Sequence, residues 1–256
     1  MDAIRHCDEL GIGAFRINSQ ILPLATHPTS GYRLPDLDED GSITAAFYQA
    51  GRLAAERDIR LSFHPDQFVV LNSERHDVVM ASLREMHAQA ELATLIGADV
   101  LTLHAGSSAG GLPASLARLE RGIEQLGAPA RERLAIENDD RRFAPASLLP
   151  LCERLGVPLV YDVHHHRCNP DGLDVTTVTD LAVATWRGRE PHFHISSPRA
   201  GWGSGDTRPH ADYVIRNDFP DAWYSRRMTV DVEAKAKERA VLHLREQLRS
   251  GADIPS

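Results

Sequence analysis

Six residues of the kind that bind divalent metal ions recur at one kind of place in this sequence. His64, His104, Glu137, Asp162, His194 and Glu233 each stand at or next to the end of a short aliphatic or β-branched run. The runs are Arg60-Leu-Ser-Phe-His64, Val100-Leu-Thr-Leu-His104, Leu134-Ala-Ile-Glu137, Leu159-Val-Tyr-Asp162, His192-Phe-His-Ile195 and Met228-Thr-Val-Asp-Val-Glu233. One histidine in such a place reads equally well as a core residue bonded to a carbonyl; six ligand-type residues at successive strand ends do not. Histidine, the commonest metal ligand, supplies 13 of the 256 residues. Carboxylates buried together without compensation cost several kcal/mol each, and divalent cations remove that cost. Mixed imidazole and carboxylate ligation suits Zn or Mn. With this many ligands more than one ion is expected, and Glu137, between a histidine pair and an acid/histidine set, is the natural bridging ligand. Two ions about 4 Å apart can activate a water and stabilise the attacking and leaving oxygens of a phosphodiester.

Positioning these residues requires a regular frame. With Ala14-Phe-Arg-Ile-Asn18 there are seven strand-like runs, apolar enough to be buried on both faces. Between them, residues 43–58, 78–96, 113–126, 145–155 and, more briefly, 176–184 space apolar residues at three and four, and 233–249 is rich in helix formers. Gly11, Gly97 and Gly156 stand where left-handed helix caps are wanted, and Pro113 and Pro145 suit first helical turns. Alternating strands and helices predict a parallel sheet with crossover helices. No Gly-x-Gly-x-x-Gly or Gly-Lys-Ser/Thr phosphate loop is present, so the expected fold is an α/β (β/α)8 TIM barrel rather than a doubly wound nucleotide-binding sheet. In a barrel the six strand ends converge on the face where active sites are built. Because the chain opens on a helix-like stretch, residues 2–10, the first strand is expected upstream of Met1. A single domain over 1–256 is expected, and the Gly-rich loop 196–212 is read as functional or mobile.

Composition sets outer bounds. With 28 Lys+Arg against 36 Asp+Glu the formal charge is −8, and 42% hydrophobic with 25% charged residues is ordinary globular usage. Three scattered cysteines, Cys7, Cys152 and Cys168, exclude a disulfide framework. No apolar run reaches the roughly 18 residues of a membrane span, and no signal-peptide h-region is visible. A cytoplasmic protein without membrane or obligate protein partner is expected. The acidic balance allows a nucleic-acid partner only through a local basic rim.

Several blocks together resemble the UV damage endonucleases: Phe15-Arg-Ile with Leu22-Pro and His27-Pro, His64-Pro-Asp-Gln67-Phe68, Leu103-His104 and Ile136-Glu137-Asn138-Asp139. So do Asp162-Val-His-His165-His-Arg-Cys-Asn169-Pro, His194-Ile-Ser-Ser and Val232-Glu233-Ala-Lys235-Ala-Lys237-Glu238, in order and spacing from residue 4 to about 245. The resemblance implies a TIM barrel related to apurinic endonucleases and sugar isomerases. It implies two or three divalent ions, Mn first with Zn or Co as alternatives, and incision of double-stranded DNA immediately 5′ to UV lesions. Carried over by residue, His64 and His104 would hold one metal with Glu137 bridging; Asp162, His194 and Glu233, with Glu137, a second; and His165 and His210 would belong to a third. Strand alternation alone would select His164 rather than His165; the resemblance selects His165, with His166 solvated or behind the site. Glu137, His27 and Lys235 are the expected catalytic residues. Gln67 and Phe68 stand where the resemblance expects a Gln-Tyr pair that probes the damaged dinucleotide, an amide for base edges and a ring to replace lost stacking. Lys235 and Lys237, read as the first turn of a helix after Glu233, oppose the helix dipole there, which a phosphate partner would explain. Arg208, with Arg16, Arg75, Arg141, Arg142 and Arg199, would complete a basic rim.

The sequence departs from the resemblance at its start, where a strand and an Asn-containing loop are missing, and at His192, which replaces a lysine expected to be carboxylated near the metals. The same barrel type also hosts sugar isomerases and epimerases, and a barrel that binds damage without cutting it is a third reading.

Overall fold

The computed structural model of the protein describes residues 1–251; residues 252–256 of the expected single domain lie outside them. Tertiary contacts divide the chain into two compact units, Met1–Ile136 and Glu137–Ser256.

The first unit alternates helix and strand. Its elements are α1 (Asp2–Glu9), β1 (Ala14–Ile17), α2 (Leu34–Leu37), α3 (Ser42–Glu56), β2 (Arg60–Phe63), α4 (His76–Ile96), β3 (Val100–His104), α5 (Leu112–Glu124), α6 (Ala128–Arg133) and β4 (Leu134–Glu137), the last crossing into the second unit by one residue. The four strands are neighbours in chain order. β1 pairs with β2 in parallel, Ala14 opposite Arg60 and Ile17 opposite Phe63, and β2 with β3, Ser62 opposite Val100. Both faces of β2, β3 and β4 are covered, as their apolar runs require, with Leu61, Phe63, Val100, Leu101, Leu103, Leu134 and Ile136 all buried, whereas β1 is half-buried up to Ile17.

The second unit contains α7 (Pro145–Leu155), β5 (Leu159–Val160), α8 (Val163–Cys168), α9 (Val175–Thr185), β6 (His192–Ile195), β7 (Thr229–Val232) and α10 (Glu238–Gly251). β6 and β7 pair in parallel with His194 opposite Asp231. The His194 amide donates to the Tyr161 carbonyl at 3.0 Å, and Asp162 bridges His194 in parallel. Tyr161, Phe193 and Trp223 pack edge-on or tilted in the core, with ring centroids 5.4 to 6.1 Å apart. The indole N–H groups of Trp186 and Trp223 donate to the Leu159 carbonyl and the Thr179 hydroxyl, each at 2.9 Å.

All seven expected strands form, and Gly11, Gly97 and Gly156 adopt the expected left-handed backbone, with φ of 63°, 76° and 67°. The main difference lies at the last helix, which begins at Glu238 and not at Glu233. The Glu233 amide still donates to the Ile195 carbonyl at 2.9 Å, extending the β7 ladder. The Lys235 and Ala236 amides then donate to Ala211 and Asp212 carbonyls, and Lys237 has φ 52°. These tertiary bonds hold 233–237 out of the helix despite its good helix formers. Lys235 and Lys237 are therefore exposed residues of a connection, not of a first helical turn. The fifth strand also stops short, at Val160 rather than Asp162, because Asp162 caps α8.

Candidate metal centre

Four candidate ligands of the second unit are brought together by its strand ends. Glu137 is the last residue of β4, Asp162 follows β5, His194 lies in β6 and Glu233 follows β7. His194 Nδ1 is 3.0 Å from Glu137 Oε1 and 3.4 Å from Glu233 Oε1. Glu137, Asp162 and His194 have no exposed surface. The chain turns immediately after β5 because the Asp162 carboxylate accepts the His165 amide at 2.8 Å and starts α8. That turn swings His165 toward the acids: its Nδ1 is 2.9 Å from the Asn138 carbonyl, 3.5 Å from Glu137 Oε1 and 3.6 Å from Asp162 Oδ2.

His210 arrives from the loop 196–212, which is folded rather than loose. Pro198 and His210 form an antiparallel bridge, and the Arg199 and Ala211 amides donate to Pro209 and Ser197 carbonyls. Buried Asp218 accepts from the Ser197 hydroxyl at 2.5 Å and the Trp202 indole at 2.8 Å. His210 Nδ1 lies 3.8 Å from Glu233 Oε2.

Three carboxylates and two imidazoles this close require a positive charge. Glu137, His194 and Glu233 offer ligand atoms within 4.8 Å of one another, as do Glu137, Asp162 and His165. Asp162 Oδ2 is buried without a hydrogen bond, a cost a native fold bears where something else binds. The donor set, carboxylate oxygens with imidazole nitrogens, suits Mn, Zn or Co. Burial works against a charged His165, but Asp162, Glu137 and Glu233, helped by the Asn138 carbonyl, outweigh it and push the imidazole up to about 10. The same excess of negative charge that raises His165 is what a bound cation would offset.

In the first unit, His64 and His104 follow β2 and end β3, with ring centroids 4.8 Å apart. After His64, Asp66 builds a tight turn, its carboxylate accepting the Phe68 amide at 3.0 Å and its carbonyl the Val69 amide at 2.9 Å. Val69 is buried while Gln67 and Phe68 project outward, Phe68 with 79% exposure; Phe68 is no core aromatic. His27 is exposed, and its Nδ1 accepts from the Thr29 and Ser30 amides at 3.3 and 3.2 Å, so that nitrogen serves the turn.

Between the two neighbouring histidines, the structure puts His165 and not His164 beside the carboxylates. His164 Nε2 faces the Arg208 carbonyl at 3.2 Å, and burial holds its pKa down against the pull of Asp162. His166 is buried rather than solvated, held between the Tyr161 hydroxyl at 2.8 Å and Asp171 at 3.0 Å. Arg208, Arg75 and Arg141 each face a neighbouring carboxylate, Asp206, Asp77 and Asp140, which lowers the net positive field of the expected rim. Sequence reasoning missed Asp231, which groups with His192 and His194. Counting back two residues from Glu233 along the strand would have found it.

The whole chain, residues 1–256, matches the family described as UV-endonuclease UvdE. The UV DNA damage endonuclease of Deinococcus radiodurans is 36% identical over 256 residues, covering 95% of this chain and 79% of the relative. The crystal structure of SacUVDE is similar with a TM-score of 0.86 at 28% identity, over 99% of this chain and 85% of that one. Endonuclease IV from Thermus thermophilus is similar in fold alone, with a TM-score of 0.70 at 19% identity over 97% and 94% of the two chains. These neighbours are TIM-barrel-like, which places the strand and helix alternation in that α/β class. By sequence along its whole length, and by likeness to a solved relative, the chain belongs to the UV-endonuclease UvdE family.

Proposed function

We propose that this chain is a metal-dependent endodeoxyribonuclease of DNA repair that nicks double-stranded DNA immediately 5′ to UV photoproducts. The observation that carries the reading is the buried meeting of Glu137, Asp162, His165, His194 and Glu233 in a chain of the UvdE family. Glu137, Asp162, His194 and Glu233 would hold one divalent ion, His64 and His104 would serve another, and His165 and His210 a third. Mn is the first choice, with Zn or Co as alternatives. Bound ions would supply Lewis acidity for water activation and for charge developing on the phosphate. Water adds to phosphorus, the bond to the 3′-oxygen breaks, and that oxygen takes up a proton.

The remaining roles belong to exposed side chains. Phe68 would stack where a damaged dinucleotide leaves the helix, and Gln67 would bond base edges. Lys235 and Lys237, both exposed beside Glu233, would meet backbone phosphates, as would the outer face of His27. Arg208 would contact DNA through its terminal guanidinium nitrogens while Nε stays 2.8 Å from Asp206, whose charge weakens that contact.

A duplex oligonucleotide carrying one cyclobutane dimer, incubated with the Mn²⁺-loaded protein, tests this directly. A single nick 5′ to the dimer is expected, lost by at least about 100-fold in Glu137→Gln. Lesion binding without nicking in Mn²⁺, Zn²⁺ or Co²⁺ would leave a damage-binding barrel instead. Turnover of free ketoses without affinity for damaged duplex would point to an epimerase.

A further inference from the structure

Strands β6 and β7 carry a second tier of ligand-type side chains behind the first. Side chains alternate along a strand, so His192 shares a face with His194, and Asp231 shares one with Glu233. The parallel register sets His194 opposite Asp231. A run of facing ionisable groups results. His192 Nε2 lies 3.1 Å from Asp231 Oδ1, and Asp231 Oδ2 lies 3.8 Å from His194 Nε2. His194 Nδ1 then faces Glu137 Oε1 at 3.0 Å and Glu233 Oε1 at 3.4 Å. The His192 ring, tilted steeply with its centroid 5.4 Å from that of His194, is almost fully buried.

The two nitrogens of His194 therefore face different partners. A neutral imidazole has one acceptor nitrogen and one N–H. If Nδ1 is the ligand, Nε2 must carry the proton, and the Asp231 carboxylate faces it from 3.8 Å, close enough to favour that tautomer electrostatically but beyond a direct hydrogen bond. A cation held between His192, Asp231 and His194 would instead need both nitrogens of His194 as ligands, which only a doubly deprotonated ring provides.

We propose that Asp231 is a positioning residue that keeps His194 protonated at Nε2 with Nδ1 turned to the carboxylates, and that His192 anchors Asp231 in that pose. The proposal rests on the reading of Glu137, His194 and Glu233 as metal ligands. Carboxylates behind a ligating histidine fix its tautomer and ring orientation, and losing one typically weakens metal binding about 10–100-fold.

The test uses the full chain and Zn²⁺ alone, with affinity read by competition against a chromophoric chelator. Asp231→Asn and Asp231→Ala are expected to bind Zn²⁺ about 10–100-fold more weakly, and His192→Ala more weakly than wild type by a smaller factor. The circular dichroism of the metal-free variants should match wild type. In the ¹⁵N spectrum of the Zn²⁺-loaded wild type, His194 Nε2 should carry a proton. Asp231→Asn binding within twofold of wild type would overturn the proposal, as would one cation per chain lost in both His192→Ala and Asp231→Ala. Wild type that takes up no Zn²⁺ would overturn the metal reading itself. The positioning role is then judged on the metal-free ¹⁵N spectrum, where an unprotonated His194 Nε2 at neutral pH would overturn it.

Discussion

Asn138 and the peptide groups of Asp162 exchange two hydrogen bonds of 2.9 Å, the side-chain Nδ2 donating to the Asp162 carbonyl and Oδ1 accepting the Asp162 amide. A side-chain amide here does what a strand residue does in a sheet ladder. The Asn138 carbonyl in turn accepts from His165 Nδ1 at 2.9 Å. One residue thus fixes three candidate ligands: Glu137 by adjacency, and Asp162 and His165 by hydrogen bonds.

Asn138→Ala leaves the Asp162 amide buried without its partner, while the Asp162 carbonyl keeps only the His166 amide, at 3.1 Å. Such a group costs about 1–3 kcal/mol, so urea unfolding of the metal-free variant should show a loss of that size. Metal affinity should fall as well, because Asp162 and His165 lose their fixed orientation. A stability change below about 0.5 kcal/mol, the usual range for an inert surface site, would show that the exchange is dispensable.

Asn72 repeats the device in the first unit. It is fully buried, and its Nδ2 donates to the Ser107 carbonyl while Oδ1 accepts the Ser107 amide, both at 2.7 Å. Gly106 lies between that peptide and His104, with φ 87°, and a Cβ there would sit 2.5 Å from Asn72 Oδ1. Gly106→Ala therefore combines left-handed strain with a collision. It should cost about 1–3 kcal/mol and displace the turn after His104, seen as lowered melting and as chemical-shift changes at Ser107. Unchanged melting would mean that the turn relaxes freely.

The strand-end ligands were legible because a parallel strand buried on both faces has few polar residues, and the one at its end stands out. Asp231 was missed because it lies inside Thr-Val-Asp-Val rather than at a strand end; the two-residue period back from Glu233 points to it, and the register sets it opposite His194. The start of α10 was misread because helix propensity in Ala-Lys-Ala-Lys-Glu-Arg-Ala carries no trace of the amides that reach Ala211 and Asp212. Periodicity likewise selected His164, since nothing in the spacing says that Asp162 ends the strand by capping α8. Bonds between distant segments decided the first two cases, whereas the Asp162 cap is a local bond between residues three apart.

Phe68 tests the lesion-facing reading independently of the metals. Because it is 79% exposed, Phe68→Ala should leave the melting temperature within about 2 °C of wild type. Stacking of one base on an aromatic ring contributes about 1–3 kcal/mol, so affinity for dimer-containing duplex should fall about 5- to 150-fold while affinity for undamaged duplex barely changes. Phe68→Tyr, which keeps the ring, should restore it. Equal loss on damaged and undamaged DNA would make Phe68 a general contact.

His165 gives the metal-free protein a pH dependence of definite sign. Its folded pKa, pushed up to about 10 against an ordinary value of 6.5, is raised by neighbouring carboxylates over the opposing cost of burial. The stabilisation is complete below about pH 6.5 and is lost as pH rises through about 10. A cation that takes over the role of the proton removes this alkaline loss and displaces the proton on binding. Melting curves of chelator-treated protein should therefore fall steadily from pH 7 to 10, while Mn²⁺-loaded protein stays level and metal affinity rises over the same interval. His165→Gln should flatten the metal-free curve. Parallel curves with and without metal would mean that the ion and the His165 proton do not compete, and would remove His165 from the ligand set.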